Sequence, residues 1–335
     1  MNPYYLTNIR IKGHKSLGDT ETSFHEGLNV MIDKKEGAEA HFLDFLNECL
    51  FLMTNTAIPF YTPYTSFHLQ VNYEQNKSYQ IECHKRQAGF RVAFTNTQAK
   101  VFELPLIKEH FRQVETGVSK ELHSLFDKEA IPFVYHKLCT ANLPKDLPLL
   151  DVAHSIHFSE GTSTGFLDKF LEFTIDLDLA IQAFLTETNI EDSPTFRAFF
   201  QEKVQESLSK ELLVTLKNLT SIQDVRISPH FEVYTTPSTQ EIKNLVLEFL
   251  VEENWVSWVM LPDDIQRMFY MICEVVGVDD AIILLEEPEL GISSQQLALL
   301  MELLQSQAEK KQIILTTHSP QILTTLRKEN LPPLI

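Results

Sequence analysis

The spacing of apolar residues changes character several times along the chain. Residues 4–32 alternate as strands do, led by Tyr5, Ile9 and Ile11, and Gly27-Leu28-Asn29-Val30-Met31-Ile32 reads as a short buried strand. From Ala38 to Met53 the period becomes helical, with Phe42, Phe45, Leu46, Cys49 and Leu50 on one face. Between residues 67 and 103 the segments FHLQVNY, YQIECHK and FRVAF return to strand spacing. The N-terminal third therefore predicts a strand, a turn, a helix and then a β-rich lobe.

In the middle, Phe166, Phe170, Phe173, Leu177 and Ile181 recur at helical spacing, and so do Phe196, Phe199, Phe200, Val204, Leu208, Leu212 and Leu216. Glu and Lys fill the opposite faces, which predicts amphipathic helices packed on a core. The heptads do not persist, so no long coiled coil is expected. Strand spacing returns near residue 224 with VRISPHFEVYT and LVLEFLVEENWVSWVML. A helix is predicted over Asp263–Val276, an apolar strand over 281–287, a helix over Ser294–Ala308 and an apolar strand over 312–319. Apolar strand, helix, apolar strand is the pattern of a parallel βαβ unit covered on both faces. Three regions follow: a β-rich N-terminal part (1–104), a mainly helical insertion (105–222) and a C-terminal α/β part (223–335), with the two end regions closing on each other.

Composition narrows the function. The 28 Lys and Arg stand against 46 Asp and Glu, a net charge of −18. That balance argues against a protein that holds nucleic acid directly by bulk charge, because phosphate contacts need clustered cations. His84-Lys85-Arg86, and Lys12 with His14-Lys15, are the local basic spots and read as solvated surface. Cys49, Cys83, Cys139 and Cys273 show no metal or redox spacing and read as reduced core residues. Neither HxH nor HExxH occurs among the histidines, so no structural metal is expected. The N-terminal MNPYYLTNIRIKGHKS has no long apolar run and no stretch is long enough to span a bilayer, so a cytoplasmic protein without a membrane partner is expected.

The chemistry gathers near the C-terminus. Leu284-Leu285-Glu286-Glu287-Pro288-Glu289 ends an apolar strand in adjacent carboxylates followed by a proline. Thr316-Thr317-His318-Ser319-Pro320 ends the next strand. Ligands of open α/β sheets sit at the carboxyl ends of strands. One carboxylate there can hold a magnesium-bound water, and its neighbour can orient a water that attacks a phosphate.

LLEEPELG followed by TTHSPQIL resembles the Walker B strand, D-loop and switch histidine of ABC-type and AAA ATPase heads of the SMC, RecF and OLD (overcoming lysogenization defect) kind. The opening YLTNIRIKGHKSLGDTETSFHEGLNVMI is similar to their first strands. The resemblance covers roughly residues 1–55 and 245–325. It implies a P-loop NTPase-like α/β head, a mixed and parallel sheet core with an antiparallel β lobe, carrying a helical insertion. It implies Glu286 as the magnesium-coordinating acid, Glu287 as the catalytic glutamate and His318 as the γ-phosphate-sensing histidine. Gly291 and Ser294 fall in the D-loop region.

Two departures stand against that pattern. After GLNVMI the family form is G-x-x-G-x-G-K-S/T, whereas this chain reads Asp33-Lys34-Lys35-Glu36-Gly37-Ala38-Glu39-Ala40-His41. Glu39 stands where the lysine belongs and Ala40 where the hydroxyl belongs. Gly37, displaced by one position, is the single glycine left in the loop. Side chains replace bare backbone that curls around phosphates, and a carboxylate replaces the cation. The segment expected to cap a partner's nucleotide reads Leu261-Pro262-Asp263-Asp264-Ile265-Gln266-Arg267. Pro262 replaces the serine of the family motif, and Asp263 reads as an N-cap of the following helix.

The resemblance and its departures together imply a pseudo-ATPase head with weak or no hydrolysis and no bound cofactor. It would act through protein association in DNA repair, chromosome maintenance or phage defence. The partner would be a second copy, an active ATPase-type subunit or a nuclease subunit. The alternative is an active Mg-ATP-hydrolysing enzyme using Glu287, Glu286 with magnesium, and Lys34 or Lys35 with Gly37 in an unusual phosphate loop.

Overall fold

The computed structural model describes residues 4–32, 42–46, 66–73, 77–86, 89–95, 101–103, 133–137, 150–152, 198, 202, 210–230, 232–235, 240–245, 247–276 and 282–326. Lys34, Lys35, Gly37, Glu39 and Ala40 lie outside them, as does the span 166–181. The chain divides into two units. The first comprises Met1–Cys139, Asp279–Leu290 and Leu297–Ile335, and the second Thr140–Val278 and Gly291–Gln296.

The first unit carries β1 (Tyr4–His14), β2 (Gly18–Ser23), β3 (Leu28–Met31), β4 (Ser66–Tyr73), β5 (Lys77–Arg86), β6 (Gly89–Thr95), β7 (Val101–Glu103) and β8 (Phe133–Lys137). An antiparallel sheet runs in the order β2-β1-β4-β5-β6-β7. This is the β lobe that the alternating N-terminal segments predict. Its inner positions Leu6, Ile9, Ile11, Phe67 and Leu69 are buried. Phe42, Leu43, Phe45 and Leu46 of the helical segment 42–46 are buried too, and Phe45 meets Phe67 edge-on at 5.6 Å.

The second unit holds two three-stranded antiparallel sheets. The strands are β9 (Leu150–Val152), β10 (Asp224–Ile227), β11 (Glu232–Thr235), β12 (Gln240–Leu245), β13 (Leu247–Val251) and β14 (Asn254–Ser257), in the orders β10-β13-β14 and β11-β12-β9. Helix α1 (Lys210–Leu219) buries Leu212 and Leu216, two positions of the predicted helical stripe. Glu252 and Glu253 form the two-residue turn between β13 and β14, both left-handed, at φ 48° and 67°. A short 3-10 turn, Trp258–Met260, leads to α2 (Asp263–Val276).

The parallel sheet belongs to the first unit and runs β3-β16-β15-β8, where β15 is Ile282–Glu286 and β16 is Gln312–Thr316. Every residue of β15 and β16 is buried, as expected of strands covered on both faces. Helix α3 (Ser294–Ala308) connects them, burying Leu297, Leu300, Met301 and Leu304, and α4 (Pro320–Leu326) follows β16. The predicted βαβ unit is thus present, with both helix boundaries as read from the sequence. Within 105–222, Phe133–Lys137 pairs in parallel with β15, and Leu150–Val152 pairs with β12; most of the expected helical insertion lies outside the described residues. The first unit runs on to Cys139 and so includes β8.

Gln312 joins the two sheets of the first unit. Fully buried, its amide donates to the carbonyls of Leu6 (2.8 Å) and His25 (2.9 Å) and accepts the Leu6 N–H (2.7 Å). A buried amide with all three bonds made fixes β16 against β1 with no unpaired group left at that junction.

Candidate functional site

Parallel register brings four strand ends to one edge of the sheet. Glu286 is level with Thr316 and with Lys137, and Thr316 with Met31. Both sequence motifs therefore leave the sheet side by side, as neighbouring parallel strands require. Glu286 is 1% exposed at the tip of β15. The next residue, Glu287, extends the ladder by one bond, its N–H donating to the Thr316 carbonyl at 3.1 Å. Its backbone then turns left-handed at φ 43°, a conformation L residues adopt at a cost of roughly 1–2 kcal/mol. A turn over Glu287-Pro288-Glu289-Leu290 closes with the Leu290 N–H on the Glu287 carbonyl at 3.1 Å. Proline at the second position of that turn has its φ pre-set.

The left-handed step brings Glu287 to His318. Nε2 of His318 lies 3.1 Å from Oε1 of Glu287, with the histidine side chain 48% and the glutamate side chain 21% exposed. Two of the predicted site residues are thus in direct contact, and the third, Glu286, is adjacent in the chain and buried. Sequence reading missed Glu289 and Thr317. Oε1 of Glu289 accepts the Thr317 hydroxyl (2.6 Å), the His318 N–H (2.9 Å) and the Ser319 N–H (3.1 Å). Oε2 of Glu289 and Oγ1 of Thr316 are buried and take no hydrogen bond among the described residues. The signal was present in the sequence, as a third acid two residues after Glu287, but its partners are 28 to 30 residues further on.

The segment expected to cap a nucleotide belongs to the second unit. There α2 begins at Asp263 with Pro262 before it, and the Pro262 carbonyl accepts the Gln266 N–H at 3.0 Å. Asp263 is therefore the first helical residue rather than the N-cap expected from sequence. Proline has no N–H to lose and suits a helix start. Both aspartates lie in the first turn, where carboxylates complement the helix dipole. Oδ2 of Asp264 accepts a bond from Gln296 Nε2 at 3.0 Å. Gln296 closes a capping box with Ser293: Gln296 N–H to Ser293 Oγ at 3.3 Å, and Ser293 N–H to Gln296 Oε1 at 2.8 Å. Ser294, placed in the D-loop region by resemblance, is the first residue of α3. Gly291 has φ +75°, which favours glycine, and a β-carbon there would sit 2.9 Å from Nε of the Arg267 side chain.

Gln266 is buried and its amide donates to the carbonyls of Trp258 (2.9 Å) and Leu261 (3.0 Å), fixing the approach to α2. Trp258 packs among Phe249, Phe269 and Tyr270, with centroids 5.3 to 5.8 Å apart. Trp255 carries the Arg226 guanidinium at 4.1 Å from its ring centroid. Cys273 is buried. No group of three or more candidate metal ligands occurs among the described residues, and no described helix is long and apolar enough to cross a membrane.

Residues 252–324 match the family model described as "AAA domain, putative AbiEii toxin, Type IV TA system". The match spans α2, both strand ends and the loops described above. A comparison with curated proteins finds no match. Among solved structures, the chain is similar to an Smc head bound to the C-winged helix domain of ScpA, at 10% identity and a TM-score of 0.44, covering 96% of this chain and 91% of that one. It is also similar to an Smc head domain with an extended coiled coil bound to the C-terminal domain of ScpA, derived from Pyrococcus furiosus. That pair has 9% identity and a TM-score of 0.47, covering 96% and 92%. The matched segment contains both strand ends and the helix between them, and the two strands pair in parallel, as the sequence resemblance implies.

Proposed function

We propose that this chain is an ATPase-type head that has lost productive nucleotide binding and works by association with another protein. The setting is the cytoplasm and the process DNA repair, chromosome maintenance or phage defence, as the resemblance implies. The observation that carries the reading is the first turn of α2. An anion-accepting helix N-terminus offers free N–H groups and a positive dipole end. Here Asp263 and Asp264 supply that turn with its own negative charge, and Asp264 is engaged by Gln296. The sequence at 33–41 agrees, with Glu39 and Ala40 in place of lysine and hydroxyl. Of the groups Mg-ATP needs, the chain keeps the acids Glu286 and Glu287 and the His318 contact. The phosphate-facing loop and helix start are acidic instead. The partner is a second head, either another copy or an active ATPase-type or nuclease subunit.

The test is a thermal unfolding titration of the purified chain with Mg-ATP. A site of about 10 µM affinity in about 1 mM ATP stabilises the folded state by roughly 2.7 kcal/mol. We expect a cooperative melt that ATP leaves in place. A shift of several degrees would overturn the reading. A second reading, a hydrolase with an unusual phosphate loop, is favoured by one observation, the 3.1 Å contact between Glu287 and His318. Under it, ATP shifts the melt and Glu287→Gln abolishes hydrolysis while retaining the shift.

A further inference from the structure

We propose that Glu289 is a positioning residue for His318. Its carboxylate holds the main chain of residues 317–319 so that the imidazole stays on Glu287. The proposal rests on reading the Glu287–His318 strand end as the functional centre.

Two glutamates, two residues apart, hold the same histidine from two sides. Glu287 meets the ring, Nε2 to Oε1 at 3.1 Å. Glu289 meets the backbone, accepting the His318 N–H at 2.9 Å together with the Ser319 N–H at 3.1 Å and the Thr317 hydroxyl at 2.6 Å. Thr317 Oγ1 in turn accepts the Ser319 N–H at 2.9 Å, which closes a small ring of bonds around one carboxylate oxygen. Three donors converging on an ionised acceptor are stronger and more directional than neutral bonds. Ser319 Oγ then accepts the Gln321 N–H at 3.2 Å and begins α4, so the loop is fixed at both ends. Without the Glu289 carboxylate, the His318 N–H loses its acceptor and the Ser319 N–H keeps only Thr317 Oγ1, so His318 is held toward Glu287 less firmly.

A brace that served folding alone would be better made another way. Oε2 of Glu289 is buried and takes no hydrogen bond among the described residues, and an uncompensated buried oxygen is unfavourable. Glu286 and Glu287 also place like charges nearby in the chain. Against these stand the three bonds on Oε1 of this acid. What it provides is a rigid link between the turn after β15 and the loop after β16, and a displacement of either carries His318 with it.

The experiment uses the full chain without nucleotide, labelled with ¹⁵N-histidine, in long-range ¹H–¹⁵N spectra above the titration range of histidine. His318→Gln identifies the His318 signals by their loss. A carboxylate only accepts, so Nε2 facing Glu287 carries the proton, and the wild type shows a single fixed tautomer. In Glu289→Ala we expect the His318 signals to move to the averaged positions of a free imidazole. Glu289→Gln restores the fixed pattern, because its amide oxygen accepts the same N–H groups. A folded Glu289→Ala protein with the wild-type pattern overturns the proposal, and so does a folded Glu289→Gln protein that fails to restore it. Should Glu289→Ala not fold, Thr317→Val removes the shortest of the three donors. A shift of the His318 signals in the same direction supports the proposal, and unchanged signals overturn it. A loss of melting temperature with the fixed tautomer retained marks a structural role only. None of these outcomes depends on ATP, so this test and the ATP titration fail separately.

Discussion

Two acidic turns of this chain use their carboxylates in opposite ways. At residues 286–290 one glutamate ends a buried strand and two follow it, and those two are spent on the neighbouring loop, Glu287 on the His318 ring and Glu289 on the 317–319 segment. At residues 261–267 two aspartates open a helix, and their charge serves that helix and the Ser293–Gln296 capping box. Both places correspond by resemblance to parts of a nucleotide site. The first keeps acid and histidine in chemical contact. The second is ordinary helix-terminus chemistry. A parallel sheet edge fixes its groups by register. A helix start gives a carboxylate favourable work without any ligand.

The first way to break the comparison is to loosen the sheet on which the strand ends depend. Gln312→Leu removes the partner of the Leu6 N–H and of two carbonyls, and each buried unpaired group costs roughly 1–3 kcal/mol. We expect a loss of about 3 kcal/mol in urea unfolding, with loss of the Glu287–His318 contact in the surviving folded protein. The same measurement on Gln266→Leu tests the helix start. The carbonyls of Trp258 and Leu261 lose their donor, and about 2 kcal/mol should go, with no effect on the His318 spectrum. A shift of the His318 signals in Gln266→Leu would overturn this prediction.

The β13–β14 hairpin holds a smaller effect of opposite sign. Glu252 and Glu253 occupy a turn whose two positions favour Asn-Gly. Replacing them by Asn and Gly should raise stability by about 1 kcal/mol and the melting temperature by a few degrees. A neutral or negative change would mean that the left-handed turn carries no strain.

The same hairpin marks a limit of what the sequence could tell. LVLEFLVEENWVSWVML alternates throughout, and Glu-Glu-Asn is no turn signal, so the segment reads as continuous strand. By contrast, α2 and α3 were legible to the residue, because their apolar faces are long and their starts are punctuated by Pro262 and Ser293. β8 was not, because FVYHK is short and sits among helical patterns, and its place beside β15 is a long-range fact. Of the site, Glu286, Glu287 and His318 could be read from two strand ends once the strands were taken as parallel neighbours. Glu289 could not, since two of its three bonds are to backbone N–H groups that no side-chain pattern announces.

The smallest effect comes from a third use of a carboxylate, at the exposed edge of the β lobe. Glu21 on β2 takes two bonds from the Arg10 guanidinium on β1, at 3.0 and 2.7 Å. Those hydrogen bonds hold its carboxyl below the usual glutamate range, outweighing an opposing desolvation, and the Arg10 charge adds to the lowering. A depressed folded-state value stabilises the fold above the ordinary glutamate titration, and the contribution is lost as pH falls through the depressed value. Both side chains are about half exposed, at 53% and 51%, so solvent screens the pair and salt weakens it further. Stability curves of wild type and Glu21→Gln from pH 7 down to pH 3 should therefore differ slightly at neutral pH and converge in acid. A difference that grew as pH fell would have the wrong sign.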